Sequence, residues 1–403
     1  MTLTNRETPY IIPEYSLTGD LLSYQVCPLQ YRYNNRGALP PSKPVQLWFG
    51  EFIHGIMEES YNQWRENTNF HDFPWDWLMD IRPLELTINR RLNARGLSTP
   101  RNLLCPYNDQ ENRVMGCRDN HHPHKLIGSQ RADVAINMWG KHLFPLVDTA
   151  EVKLKGCREL HSPETERRSD YYGITGIADV ISSISLREAD ADNKIMQYLS
   201  SDPTVRNMMS VYEDDEFEII IDYKGMRRPS IFDSPNHPNQ TWISHEWQIL
   251  TYAWLRSHQP ESKKPIAGIL FYFDELVPAL KEIQFLKKEI RETRTDIIPS
   301  DPSDIDLLGR TNPRYIREHL SNDLRERRSI RVIPITDERI ETALMEFDTI
   351  VAEIEKSVVN EIHTGQIKQC WTANDSNPEN TCTVCDSRYF CPRQNNHFRM
   401  TVP

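Results

Sequence analysis

The stretch Glu216–Arg228 carries residue types that can do chemistry together. Apolar and polar side chains alternate through EFEIIIDYK, with the two-residue period of a β-strand. Asp222 and Lys224 are two residues apart, so both side chains leave the same face of that strand, and Gly225 ends it. A carboxylate beside an ammonium group can hold a metal ion and orient a water molecule next to it. An isolated D-x-K is more commonly an ordinary ion pair than a metal site. Other residues must therefore show which of the two this pair is.

Further polar residues occupy positions that suggest the same kind of site. Asp179 lies in the apolar segment GIADV, about forty residues before the D-x-K pair. A charge in an apolar strand needs a partner or a metal ion. Gln248 and Tyr252 are one turn apart in a predicted helix and therefore share a face. His54 lies in the first half of an amphipathic helix predicted over residues 46–66.

Several of the eight cysteines are clustered, which in a chain of this length favours metal binding over a disulfide framework. Cys382, Cys385 and Cys391 follow the spacing C-x2-C-x5-C. With Cys370 they could form a zinc site, because zinc and iron–sulfur proteins share C-x2-C. A second zinc site could involve residues of the segment 105–124, which otherwise is a plain loop. Those ligands are Cys105, Cys117 and either His121 or His124.

The elements that must position these residues form an α/β protein with a central mixed sheet. A strand, a helix capped by Ser244 and another strand follow one another from residue 216 to residue 273, which predicts a crossover unit. Residues 68–128 are predicted to be irregular. Other predicted strands cover 146–154 and 173–183. Other predicted helices cover 16–34 with a break at Pro28, 130–144, 276–292 and a long segment capped by Thr336.

The composition limits the class of protein. The chain has 403 residues, 38% of them hydrophobic, which is enough for a sizeable core. Without an apolar run of about 18 residues or an apolar signal segment, we expect a soluble, cytoplasmic protein with no membrane partner. The net charge of −11 argues against a wholly basic surface but allows a local nucleic-acid site. The segment AINMWGK lacks the first glycine of a phosphate loop, which argues against an ATPase.

In this order, the residues resemble RecB-type nucleases of the PD-(D/E)XK superfamily, in the branch that carries an iron–sulfur cluster. The resemblance rests on Gly50-x3-His54, Asp179, Asp222-x-Lys224, Gln248-x3-Tyr252 and the cysteines near both chain ends. It covers residues 16–60, 146–275 and 380–393. It implies a restriction-endonuclease-like core, whose central mixed β-sheet is flanked by helices, with helical additions and an iron–sulfur lobe.

The resemblance also implies a role for each residue. Cys27 would join the three C-terminal cysteines, Cys382, Cys385 and Cys391, around a 4Fe–4S cluster. Mg²⁺ or Mn²⁺ would be bound by His54, Asp179 and Asp222. Lys224 would orient the water or help to deprotonate it, while Gln248 and Tyr252 would steady the strand being cut. The implied catalytic set is therefore Asp179, Asp222, Lys224, Gln248 and Tyr252.

Glu151-Val152-Lys153 is a second acid–lysine pair. It precedes Asp179, whereas the resemblance places the catalytic pair after that residue. We therefore expect Glu151 to line the same cleft as an outer residue and Lys153 to be dispensable. Arg227 and Arg228 follow the catalytic lysine closely, and we expect them to contact DNA phosphates.

The implied function is a metal-dependent DNA nuclease that acts on single strands or ends, in repair, recombination or antiphage defence. A helicase or a defence complex is the expected partner class. The alternatives are a catalytically silent DNA-end-binding subunit of a helicase complex and a zinc-stabilised interaction protein. The expected regions are an N-terminal segment with Cys27 and His54 (1–60), an insertion (61–130), the nuclease core (131–275), a helical region (276–369) and a C-terminal cysteine segment packing on the N-terminus (370–403).

Overall fold

The structure, a computed structural model, confirms an α/β protein whose mixed central sheet is flanked by helices. It describes residues 12–36, 45–106, 124–161, 166–187, 190, 192–212, 216–234, 237–377 and 382–395. The sheet has six strands, and a separate short hairpin is formed by β5 and β6. In chain order the strands are β1 (Glu14–Ser16), β2 (Thr149–Glu159), β3 (Tyr171–Ser185), β4 (Glu216–Lys224), β5 (Phe232–Ser234), β6 (His237–Pro238), β7 (Pro265–Tyr272) and β8 (Ile330–Pro334).

Helices cover both faces of the sheet. Before β4 they are α1 (Leu22–Val26), α2 (Pro28–Arg36), α3 (Val45–Glu66), α4 (Arg82–Ala94), α5 (Ile127–Leu143), α6 (Lys194–Ser201) and α7 (Pro203–Val211). After β4 they are α8 (Gln240–Ser257), α9 (Phe273–Leu276), α10 (Leu280–Arg291), α11 (Pro302–Gly309), α12 (Pro313–His319), α13 (Asn322–Ser329), α14 (Asp337–Thr364), α15 (Ile367–Cys370) and α16 (Pro392–Asn395). Single π-helical turns at Leu17–Leu21 and Trp77–Ile81 lead into α1 and α4, and short 3-10 turns occupy Thr68–Phe70, Phe144–Leu146 and Arg388–Phe390.

The sheet runs in the order β1-β3-β4-β7-β8, and β2 also pairs with β3. β4 and β7 are parallel and joined by α8, which confirms the predicted crossover unit. β2 and β4 are antiparallel to β3, whereas β1 is parallel to it. The sheet is therefore mixed, with β4 in its interior.

The hydrophobic core forms two layers, one on each face of the sheet. Ile219, Ile221 and Tyr223 of β4 belong to the layer that includes α3 and α5. Ile220, from the same strand, belongs to the layer that includes α8 and α14. A strand covered on both faces is apolar at nearly every position, which explains the run of isoleucines. α10 to α13 enclose a third, smaller apolar cluster.

Several boundaries differ from those predicted. α8 begins at Gln240, because the side chain of Asn239, not Ser244, accepts the hydrogen bond that caps it. The segment predicted as irregular contains α4, whose buried Arg82–Glu85 pair gives it a polar appearance. The helix predicted over 276–292 is divided into α9 and α10. The cap at Thr336 is confirmed. Within the described parts of the chain, no helix is both long and apolar enough to cross a membrane.

Candidate functional site

The site lies at a fork in the sheet, the point where β4 separates from β3. β2 overlaps both β1 and β4 along β3, so β1 and β4 must share the other edge of β3. On that edge β1 pairs with residues 173–175 and β4 with residues 180–185, which leaves residues 176–179 between them. Asp179 occupies the last position before β4 joins. Its Oδ2 accepts a hydrogen bond of 2.6 Å from the backbone N–H of Tyr223, so the carboxylate is held in place by the backbone of β4.

α3 approaches this fork closely because two glycines meet there. A side-chain carbon on Gly225 would lie 3.0 Å from the Cα of Gly50, so a larger residue would push the helix away. One turn after Gly50, Nε2 of His54 donates a hydrogen bond of 2.8 Å to the carbonyl of Tyr223. The carbonyl can only accept, so Nε2 carries the proton and Nδ1 faces Asp179, 3.2 Å from its Oδ1.

The electrostatic field at His54 favours a cation. Burial alone would lower the pKa of His54, but the carboxylates of Asp179 and Asp222 raise it to about 9. The nitrogen and the carboxylate oxygen thus attract positive charge between them. Neutral imidazole and carboxylate groups are also ligands for divalent ions, so the same position suits a metal.

The second part of the site joins β4 to α8. Nζ of Lys224 lies 2.6 Å from Oδ2 of Asp222 and donates a 2.6 Å hydrogen bond to Oε1 of Gln248. Nε2 of Gln248 donates to Oδ1 of Asp222 at 3.1 Å and to the hydroxyl of Tyr252 at 2.9 Å. Burial raises the pKa of Asp222; Lys224 opposes that effect, and Asp179 adds to it. The four side chains form one connected network.

Gly176 lets Tyr252 pack directly on β3. A side-chain carbon at Gly176 would lie 2.6 Å from Cε1 of Tyr252, which is too close for any other residue without movement. The glycine therefore fixes the end of the network that begins at Lys224.

One cleft of about 970 Å³ gathers the predicted residues. His54, Glu151, Asp179, Asp222, Lys224, Gln248 and Tyr252 all line it. The N-terminal segment contributes Glu14, Leu17 and Thr18 to its wall. The volume is at the upper end of the range for ligand clefts.

Glu151 is closer to the acidic centre than the sequence suggested. His54, Glu151 and Asp179 each have one possible metal-ligand atom, and these three atoms lie within 4.8 Å of one another. Among the described residues, no other three His, Cys, Asp or Glu side chains meet this distance. Asp222, which was predicted as the third ligand, is not part of that group. Partial burial and the neighbouring Asp179 carboxylate raise the pKa of Glu151. A sequence signal existed, because an antiparallel β2–β3 pair can place residues 151 and 179 opposite each other.

The two arginines that follow Lys224 are turned towards the protein. Arg227 pairs with Glu289 of α10. Arg228 is 2% exposed, pairs with Asp296 and donates to the carbonyl of Ile330 at 2.7 Å. This burial is at odds with the predicted phosphate contact of Arg228.

The cysteines near the two ends of the chain lie together. Cys27, Cys382, Cys385 and Cys391 line one small pocket of about 30 Å³. The guanidinium of Arg393 donates towards Sγ of Cys382 at 3.4 Å. Burial, followed by the neighbouring thiols, raises the pKa of Cys385. The chain ends are also joined by Asn377, whose side chain donates to the carbonyl of Val26 at 2.7 Å.

Cys370 does not line this pocket, and its sulfur instead contacts the hydroxyl of Thr364 at 3.3 Å. In the segment predicted as a second zinc site, Sγ of Cys105 lies 2.7 Å from Nδ1 of His124. Cys117 and His121 lie outside the described residues, so zinc binding there stays a prediction.

No protein-family model matches this chain, and no curated protein shows significant similarity to it. The arrangement of the site is that of a cleft with converging acids, an imidazole and a fixed lysine. Such a combination is typical of sites that hydrolyse phosphate esters with a divalent cation.

Proposed function

We propose that this protein is a metal-dependent nuclease with a restriction-endonuclease-like core that hydrolyses phosphodiester bonds in DNA. The observation that carries the proposal is the fork between β3 and β4. There Asp179, Asp222 and Lys224 line one cleft. The motif order implied this arrangement: one acid on each of two adjacent strands, with a lysine two residues after Asp222.

The donor set fits Mg²⁺ or Mn²⁺. Carboxylate oxygens are the preferred ligands of these ions, and Oδ2 of the buried Asp222 accepts no hydrogen bond although Lys224 is nearby. Asp179, Asp222 and His54 would hold the ion. Once bound, it would polarise the phosphate and lower the pKa of a water ligand.

The protein's own groups supply positioning and charge. Lys224 is fixed between Asp222 and Gln248, so its ammonium can orient a water molecule and offset the negative charge that builds up on the phosphate. Gln248 is a positioning residue, because it bonds both members of the Asp222–Lys224 pair. Tyr252 in turn fixes Gln248.

DNA is the substrate that we propose, in single-stranded form or at ends. The proposed occupant of the cleft is a single strand, whose phosphates are accessible without a duplex having to open. Lys155 and Lys224 line the cleft and would neutralise phosphates. A helicase or a defence complex would supply such ends, in repair, recombination or antiphage defence.

We also propose that Cys27, Cys382, Cys385 and Cys391 bind a 4Fe–4S cluster. All four line one pocket, whereas Cys370, which the alternative zinc site requires, does not. This grouping favours the ligand set of the iron–sulfur cluster over that of the four-cysteine zinc site.

The test is a cleavage assay on DNA labelled at either end, single-stranded and double-stranded, with Mg²⁺, Mn²⁺ or a chelator. We expect divalent-metal-dependent cleavage by the wild type and none by Asp222→Asn. DNA binding by the wild type without cleavage under any of these conditions would instead indicate the catalytically silent end-binding subunit.

A further inference from the structure

Each of the three adjacent strands β2, β3 and β4 carries a carboxylate residue at the same level of the sheet. Ala150 pairs with Val180 and Val152 with Ala178, so the intervening Glu151 lies across from Asp179. On the other edge of β3, Val180 pairs with Ile221, so the next residue of β4, Asp222, is also level with Asp179. Asp179 is therefore flanked by a carboxylate on each side.

The two flanking carboxylates differ in what they contact. Asp222 is buried and already engaged by Lys224 and Gln248. Glu151 is exposed to the cleft, and its ligand atom lies within 4.8 Å of those of His54 and Asp179. Its backbone has φ of +53°, a left-handed conformation that is uncommon for residues other than glycine, within an otherwise regular strand.

We propose that Glu151 is a direct metal ligand, which joins His54 and Asp179 around the proposed ion and approaches Asp179 from the side opposite Asp222. The inference rests on the proposed function, because it adds a ligand to the same cleft. It replaces the expectation that Glu151 only lines that cleft.

The geometry of His54 supports a metal position there. Adjacent ligands of an octahedral ion at about 2.1 Å are separated by roughly 3 Å. Nδ1 of His54 and Oδ1 of Asp179 are 3.2 Å apart. Because Nε2 donates its proton to Tyr223, the lone pair of Nδ1 is the one available to a metal.

The charges in the same cleft also favour the binding of a cation. Oδ2 of Asp222 is buried and accepts no hydrogen bond, although Lys224 lies 2.6 Å away. Three carboxylates, one ammonium group and the imidazole of His54 therefore meet around Asp179. When the imidazole is neutral and acts as a ligand, a divalent ion would compensate the excess of negative charge.

The ligand types indicate which ion this position prefers. One imidazole nitrogen with two carboxylates is a mixed site, and imidazole suits transition metals better than Mg²⁺. We therefore expect Mn²⁺ to bind here more tightly than Mg²⁺.

The experiment is a Mn²⁺ titration of the full-length protein, in which free Mn²⁺ is measured by electron paramagnetic resonance. Glu151→Gln keeps the shape of the side chain and removes its charge; Glu14→Gln removes the same charge from the same cleft and is the matched control. We expect Glu151→Gln to weaken Mn²⁺ binding by at least about tenfold and Glu14→Gln by less than about twofold. A large excess of Mg²⁺ should be needed to displace Mn²⁺ from the wild type.

Circular dichroism and thermal melting check that each variant is folded. Glu151→Asp, which keeps the charge on a shorter side chain, serves as the second variant and should show an intermediate affinity. Wild-type Mn²⁺ affinity in folded Glu151→Gln would overturn the inference even if the protein cuts DNA. Mn²⁺ binding that depends on Glu151 in a protein that cuts no DNA would support the ligand and refute the proposed nuclease. Failure of the wild type to bind Mn²⁺ would also overturn the inference.

Discussion

Lys224→Met is the substitution that tests the proposed chemistry most directly. It keeps most of the length of the side chain and removes the ammonium group with its charge. A phosphate group about 4 Å from that charge would interact with it by about 4 kcal/mol at an effective dielectric constant of about 20. Since about 1.36 kcal/mol corresponds to a tenfold change in rate, kcat should fall by up to about a thousandfold. Loss of a donor at other charged transition states has a similar effect, about 10²–10³.

The same substitution should change stability, because Asp222 would remain buried without its cation. Removing one partner of a buried ion pair costs about 3–5 kcal/mol. Gln248 still donates to Asp222, and the carboxyl group can take up a proton, so we expect about 2–3 kcal/mol. The double variant Asp222→Asn with Lys224→Met should be about 1–2 kcal/mol more stable than Lys224→Met alone, because no isolated buried charge remains.

The assay is single-turnover cleavage of end-labelled single-stranded DNA with Mn²⁺, combined with urea unfolding of each variant. Lys153→Met is the matched control, because Lys153 lines the same cleft on β2. We expect it to keep most of the activity and stability. Equal loss of activity in the two lysine variants would show that the wrong lysine was assigned, and full activity of Lys224→Met would refute the role of Lys224.

The other predictions concern the cluster and the core. Anaerobically purified protein should absorb broadly near ~400 nm, and Cys27→Ala should abolish that band and lower stability, whereas Cys370→Ala should do neither. Burial, Lys141 and Lys194 lower the pKa of His142 to about 4. The unfolded chain therefore binds the proton more readily, stability should fall as the pH drops from about 6.5 to about 4, and unfolding titrations of His142→Asn should show a smaller fall. Arg228→Met should destabilise the protein by about 3–5 kcal/mol in urea unfolding, because it leaves Asp296 without its partner; a stable variant with weakened DNA binding would support the phosphate contact instead.

Local patterns in the sequence were enough to predict the framework of the site. The alternation in β4, the helix face shared by Gln248 and Tyr252 and the apolar run of β7 each depend on residues a few positions apart. The strand–helix–strand crossover, the mixed sheet and the cap at Thr336 are confirmed for that reason. The convergence of Asp179 and Asp222 also follows, because adjacent antiparallel strands bring distant segments into one register.

Other features depend on contacts between distant residues, which local patterns do not show. Arg228 looks like part of a basic cluster, but its partner Asp296 lies 68 residues later. Glu151 looked like an outer residue, because its position opposite Asp179 depends on the exact register of β2. The start of α8 was missed since Asn239 and Ser244 are both good capping residues, and it is the side chain of Asn239 that accepts the capping hydrogen bond.

The cleft that contains Asp179 and the cysteine pocket are connected by one short segment of the chain. Leu17 and Thr18 line the cleft, and the segment that continues from them ends at Cys27. The other end of this segment is held independently, because the hydroxyl of Tyr15 donates to Glu355 of α14. If the proposed cluster were lost, β1 would therefore remain on β3, while the wall formed by Leu17 and Thr18 would lose its second anchor. Cluster loss should consequently weaken DNA binding along that wall more than it weakens the Asp179 centre, which is held by the backbone of β4.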